Sequence, residues 1–308
     1  MYLSRYSLPL CVTLLAINGD TSYEMIGESH EIDNSLKGQM IKEQVIKGQL
    51  LKEQMLKEQM IEWAMKYNDP LYFSEDPIVF PRHFADRLAC GEASLQDVEI
   101  AAVIAAHLAW GRRSMIVRDC TRAMDEMCWQ PYRYVMSGEY RNDESSLHRT
   151  VKWSEFAAIC GALRRFYSSD SIDTEYGEKV SRKAVCEELN SKSLEMLDTQ
   201  HIRTEIYGRK EDPKAADKKI NMMRRWMVRR DGKVDLGLWT ATSPDSLVIP
   251  LDVHVYDEAY SLGLTSRKQK DLRTAMEITD FFRVVFPGDP CLGDFALFGY
   301  GVSKNADK

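Results

Sequence analysis

"SLQDVEIAAVIAAHLAWG", residues 94–111, decides the class of fold. Ser94 is a helix-capping residue, Asp97 stands in the first turn where a carboxylate suits the helix dipole, and Gly111 is a stop. Between these signals the chain is apolar on almost every face, the pattern of a helix enclosed by other elements. The run is too short to cross a bilayer, so a protein core must surround it. Working outward, helical spacing recurs at about 113–128 and at 152–169, where Trp153, Phe156, Ile159, Cys160, Leu163 and Phe166 share a face. Further helices are expected at about 252–262, 266–282 and 292–300, with two more between 170 and 213. A polar linker is expected at 137–150. Alternating strand patterns are almost absent, so the expected class is all-α.

The chain has 308 residues, 44% of them hydrophobic and 29% charged, enough for a substantial core in a soluble globular protein. Its seven cysteines (Cys11, Cys90, Cys120, Cys128, Cys160, Cys186, Cys291) form no C-x-x-C pair or close group of four. Most are therefore expected as buried thiols, and disulfide frameworks, zinc ribbons and iron–sulfur loops are not expected. No two histidines fall at i, i+3 or i+4, so neither a metal nor any other cofactor is expected. "LPLCVTLLAI" (8–17) has the length of a signal-peptide core but lacks a small-x-small cleavage site. No membrane span is expected, and the cytoplasm is the expected compartment.

Residues 37–61 read "KGQMIKEQVIKGQLLKEQMLKEQMI", a five-residue repeat with lysine at 37, 42, 47, 52 and 57. Its apolar pairs walk round a helix by about 140° per repeat, so a helix with little packing is expected. Residues 1–61 are taken as an N-terminal extension, 62–303 as the helical domain, and 304–308 as a polar tail.

A net charge of −6 argues against a protein that coats nucleic acid. Against that average, "KAADKKINMMRRWMVRRDGK" (214–233) carries eight Lys and Arg against two Asp. As a helix it places Ile220, Met223 and Met227 on one face, with Lys218, Arg225 and Arg229 on another. The cationic side either solvates the helix, pairing with neighbours such as Glu211 and Asp212, or meets phosphate oxygens. Downstream, "LVIPLDVHV" puts Asp252 at the head of the next helix. Asp252 reads as an N-cap or as a catalytic carboxylate, and one residue can be both. His254 reads as a structural histidine. Trp110, Gly111, Arg112 and Arg113 form a helix-end turn suited to core packing of the indole or to stacking and phosphate contact.

Taken in order, "DPIVFP", "AAHLAWGRR", "KKINMMRRWMVRRDGKVDLGLW", "LVIPLDVHV", "LGLTSRKQ" and "DFALFGYGV" resemble a bacterial conserved-hypothetical family, a domain of unknown function, over about residues 62–303. That family is distantly similar to the helix-hairpin-helix DNA glycosylases, including archaeal 8-oxoguanine glycosylases. The resemblance implies a two-lobed helical fold, DNA as partner, and DNA repair by base excision. It implies Lys218 as the nucleophile, with Lys219 the alternative one residue on, and Asp252 as stabiliser of the cationic sugar. The target base would be flipped into a pocket. Lys219, Arg225, Arg229, Arg112 and Arg113 are then the expected phosphate contacts. The chain departs from the superfamily in its hairpin, "EDPKAADKK", which has no glycine and sets Asp217 where a phosphate would lie. The two other readings are a nucleic-acid-binding protein without catalysis, and a partner-binding protein that uses the 37–61 repeat.

Overall fold

The computed structural model describes residues 27–168, 171–173, 179–181 and 192–306. The 8–17 apolar stretch and part of 170–213 lie outside them. The chain divides into two units, Met1–Met55 and Leu56–Lys308. In the first unit the repeat is helical, as its composition requires, within α1 (Gly27–Tyr67). Met40, Val45, Ile46, Leu50, Leu51 and Met55 are exposed there, because a five-residue period gives a helix no single face to bury.

The second unit is mostly helical. After the end of α1 come α2 (Val79–Ala89), α3 (Leu95–Leu108), α4 (Arg113–Glu126), α5 (Pro131–Ser137) and α6 (Trp153–Ser168). A single turn α7 (Thr199–His201) runs into a π-helical turn (Ile202–Ile206), then come α8 (Lys218–Val228), α9 (Val253–Ser261), α10 (Leu272–Val285) and α11 (Leu292–Ala306). Two small antiparallel hairpins, β1 (Ser146–His148) with β2 (Val151–Lys152) and β3 (Ser171–Asp173) with β4 (Lys179–Ser181), are the strands among the described residues. The first hairpin begins within the stretch 137–150 expected as a polar linker and ends just past it. No helix among the described residues is long and apolar enough to cross a membrane.

α3 is the centre, with every residue from Val98 to Leu108 buried, and it packs against α2, α4, α5 and α8. Its start bears out Ser94 as N-cap and closes with Asp97 as a capping box: Asp97 N donates to Ser94 Oγ at 3.2 Å, and Ser94 N donates to Asp97 Oδ2 at 2.8 Å. Glu99 is the fully buried carboxylate of this helix, and its oxygens accept from Ser193 Oγ, Leu194 N, Tyr167 OH and Trp239 Nε1. α4 ends at Glu126 because Cys128 and Trp129 adopt φ of 50° and 52°, which no helix continues. The helix expected from 266 begins at Leu272, where Asp271 caps it by accepting from Thr274 N at 3.0 Å. Cys90 and Cys128 are exposed, whereas Cys120, Cys160 and Cys291 are buried free thiols.

Two apolar clusters result. One gathers α2 to α6, α8, Trp239 and Phe295; the other gathers Met60, Ala64, Ile249, Leu251, Tyr256, Ile278, Phe282 and Leu297. Close helix approach inside the second cluster depends on glycine. A Cβ at Gly293 would lie 2.2 Å from the Phe282 ring, and one at Gly299 2.2 Å from the Tyr67 ring.

Candidate functional site

α8 starts immediately after Asp217, whose φ of 40° lies in the left-handed region. A glycine adopts that conformation without strain, and aspartate is among the few other residues that tolerate it. The hairpin without a glycine thus turns on an aspartate. Its carboxylate pairs with Arg203 and accepts from Gln200 Nε2 at 3.3 Å, leaving the side chain 3% exposed. The negative charge expected at a phosphate position is instead folded inward.

Turning there aims the first two lysines of α8 at the end of α3. Lys219 Nζ donates to the carbonyl oxygen of His107 at 2.5 Å, and Lys218 Nζ to that of Ala109 at 3.4 Å. The last carbonyls of a helix have no partners within it and form the negative end of its dipole, so ammonium groups suit them. Asp252 approaches Lys218 from the other side. Its Oδ1 accepts from Val255 N at 2.8 Å and caps α9, while its Oδ2 lies 3.6 Å from Lys218 Nζ. The cap and the lysine partner are therefore the same carboxylate. Because α8 belongs to the first apolar cluster and Leu251 to the second, this ion pair joins the two.

Lys218 and Asp252 are 30% and 32% exposed, so water screens their attraction. Lys219 has a different environment. No carboxylate among the described residues lies within ion-pair distance of it, and its ammonium sits 5.9 Å from the centre of the Trp110 ring. Burial disfavours its charge, the cations of Arg209 and Lys218 add to that effect, and Glu155 opposes it, leaving the amine pulled down to about 8. The His107 side chain stacks on Tyr207 and pairs through Nε2 with Glu155 Oε1 at 2.9 Å. Burial holds its imidazole below the ordinary histidine value.

Trp110 is half-buried. The Arg149 guanidinium lies 4.3 Å from its ring centre, and His148 meets it edge-on. His148 fixes the turn, with Nε2 2.9 Å from the Trp110 carbonyl oxygen and Nδ1 2.8 Å from Asp119 Oδ2. Arg112, Arg113, Arg149 and Arg209 are all exposed, so the expected cations of the α3–α4 turn are indeed at the surface.

Arg225 and Arg229 require correction as phosphate contacts, since they are 5% and 1% exposed. Arg225 pairs with Asp294 and lies 3.3 Å from Asp235, and Arg229 binds Asp231, Asp235 and Asp289. Burial works against the Arg229 charge, but Asp289, Asp235 and Asp231 outweigh it and hold the guanidinium above its ordinary value. Both guanidinium groups face these carboxylates and not solvent.

Two acids were missed. Asp76 accepts from Ile78 N at 3.1 Å; burial raises its carboxyl, while Arg225, Arg113 and Lys218 oppose the shift. Asp294 is raised by burial and, to a lesser degree, by Asp252, with Arg225 opposing. Each opens a motif that carries the family resemblance, Asp76 in "DPIVFP" and Asp294 in "DFALFGYGV", but neither motif marks its acid as buried, and Asp76-Pro77 also marks an ordinary turn. His254 is exposed beside the cap. Two cavities of about 510 and 450 Å³ lie elsewhere, one beside Phe84, Cys128 and Trp129, the other beside Tyr140, Ser154 and Arg165. Among the described residues no group of three or more His, Cys, Asp or Glu could hold a metal ion.

No curated protein and no solved structure matches the chain. A family model described as "Protein of unknown function (DUF2400)" matches residues 76–303, a span that takes in α3, both lysines, Asp252 and the buried arginines, and the chain belongs to that family.

Proposed function

We propose that this is a DNA-binding protein of the helix-hairpin-helix glycosylase type, which excises a damaged base through a lysine Schiff base. The reading rests on one observation: Asp252 caps α9 with one oxygen and turns the other toward Lys218, 3.6 Å away. An amine and a carboxylate at the head of two successive helices are the two groups that such chemistry needs, one to attack the sugar C1′ and one to steady its cationic transition state. The reacting amine is one of the two lysines that open α8. Exposed Arg112 and Arg113, next to half-buried Trp110, supply the phosphate contacts and a stacking surface. A nucleic-acid binder without catalysis is the second reading. It is favoured by the altered hairpin, which has no glycine and turns on Asp217.

The test is binding and borohydride trapping on lesion-bearing duplexes. Affinity should fall steeply with salt, and Arg112→Ala and Arg113→Ala should each flatten the slope of log K against log salt by about one. A trapped adduct lost when Lys218 and Lys219 are both replaced supports excision. Salt-dependent binding with no adduct on any lesion leaves the binder, and absence of binding at low salt refutes both.

A further inference from the structure

Two lysines open α8, and their surroundings separate their roles. Lys218 faces a carboxylate, so its ammonium is matched by Asp252. Lys219 faces a carbonyl oxygen, an indole and two cations, with no carboxylate in ion-pair reach among the described residues. An ammonium is a poor nucleophile, because its lone pair is bound to a proton. A half-buried amine crowded by other cations sheds that proton most easily, and burial with its cationic neighbours brings Lys219 down to about 8. Around it stand Arg209, whose charge acts on its ammonium, and Arg149, whose guanidinium lies over the same Trp110 ring that Lys219 meets, both exposed. Such a rim suits a substrate that carries phosphate close to its reacting carbon.

Resting on the reading above, we propose that Lys219, rather than Lys218, is the amine of this site that adds to a carbonyl, and that its substrate class is a phosphate-bearing aldehyde. The Lys218–Asp252 pair then serves as the electrostatic partner. In the step itself the Lys219 lone pair forms the C–N bond while the C=O π pair moves to oxygen. That oxygen takes up one proton from the former amine and one from solvent, and departs as water. The nitrogen is left as an iminium. Borohydride delivers hydride to this carbon and fixes the adduct as a secondary amine.

The open-chain sugar of an abasic DNA site and a free aldose phosphate share this chemistry. The experiment has one arm for each: a duplex with an abasic site, and 2-deoxyribose 5-phosphate, both trapped by borohydride on the full chain, with the modified lysine located by peptide mass spectrometry. The expected result is an adduct on Lys219 whose yield rises with pH about a midpoint near 8. It should be lost in Lys219→Arg, which keeps a donor for the His107 carbonyl, and should still map to Lys219 in Lys218→Arg. Trapping of the DNA alone identifies the nucleic acid as the source. Trapping of the free sugar phosphate alone supports Lys219 and refutes the DNA reading. An adduct on Lys218 overturns this assignment and leaves base excision standing. A folded chain that traps neither probe overturns it too, and salt-dependent DNA binding then decides whether the binder survives.

Discussion

Glu99→Gln is expected to stabilise the protein at pH 8 and to have almost no effect below pH 4.5. The wild-type carboxyl is fully enclosed, and burial raises it from 4.5 to about 7, against the lowering effect of the hydrogen bonds from Ser193, Trp239, Tyr167 and Leu194. Between those values the folded chain holds a proton that the unfolded chain has released. The folded state therefore binds more protons, and stability falls as pH rises through the window. The gap between 4.5 and about 7, at about 1.4 kcal/mol per tenfold change in proton affinity, amounts to about 3 kcal/mol lost by pH 8, where the folded carboxyl is about nine-tenths ionised. Glutamine reproduces the protonated acid. Its Oε1 can accept from Ser193 Oγ, Leu194 N and Trp239 Nε1, at 2.6, 2.9 and 2.8 Å in the wild type, and its Nε2 can donate to the Tyr167 hydroxyl. Urea unfolding of both proteins across pH 4 to 8 isolates the effect as a difference. That difference should be near zero at the acid end and grow to about 3 kcal/mol in favour of the variant. A difference that does not change with pH, or a variant less stable than wild type at pH 8, would refute the account of Glu99.

Other substitutions probe the site and the core. Asp252→Ala should cost about 1 kcal/mol through the lost cap of α9, whereas Asp252→Asn should keep most of that stability and lose the negative charge opposite Lys218; thermal melts beside trapping assays separate the two effects. Arg229→Met leaves the carboxylates of Asp231, Asp235 and Asp289 without their shared cation, and urea titration should show a loss of about 3–5 kcal/mol. Gly293→Ala drives a methyl into the Phe282 ring and should cost about 1–3 kcal/mol by the same measurement, while Gly263→Ala meets no neighbour and is strained only through its φ of 74°.

Local chemistry carried the reading where neighbours in sequence are neighbours in space. Ser94 with Asp97, Asp252 with Val255 and the apolar run of α3 all act within a few residues, so the caps and the all-α class were legible. α2 and α5 were not foreseen; each carries a proline in its first turn, Pro81 and Pro131, where proline is tolerated. Helical spacing did place Lys218, Arg225 and Arg229 on a common side of one helix. It could not say which of them would meet solvent.

Tertiary structure decided that. Arg229 is closed over by Asp289, sixty residues away in sequence, and Arg225 by Asp294 at sixty-nine, so two cations that look like a phosphate surface became core ion pairs. Lys219 was set apart from Lys218 by the end of α3, a contact 112 residues distant. A side chain's intrinsic charge is written in the sequence, but its solvation and its partner are properties of segments that meet only on folding. In this protein the sequence alone determined the all-α class, most of the longer helices and the caps at Ser94 and Asp252. Only the folded chain decided which cations remain available and which amine lacks a counterion, because desolvation and Coulomb attraction depend on distance in space.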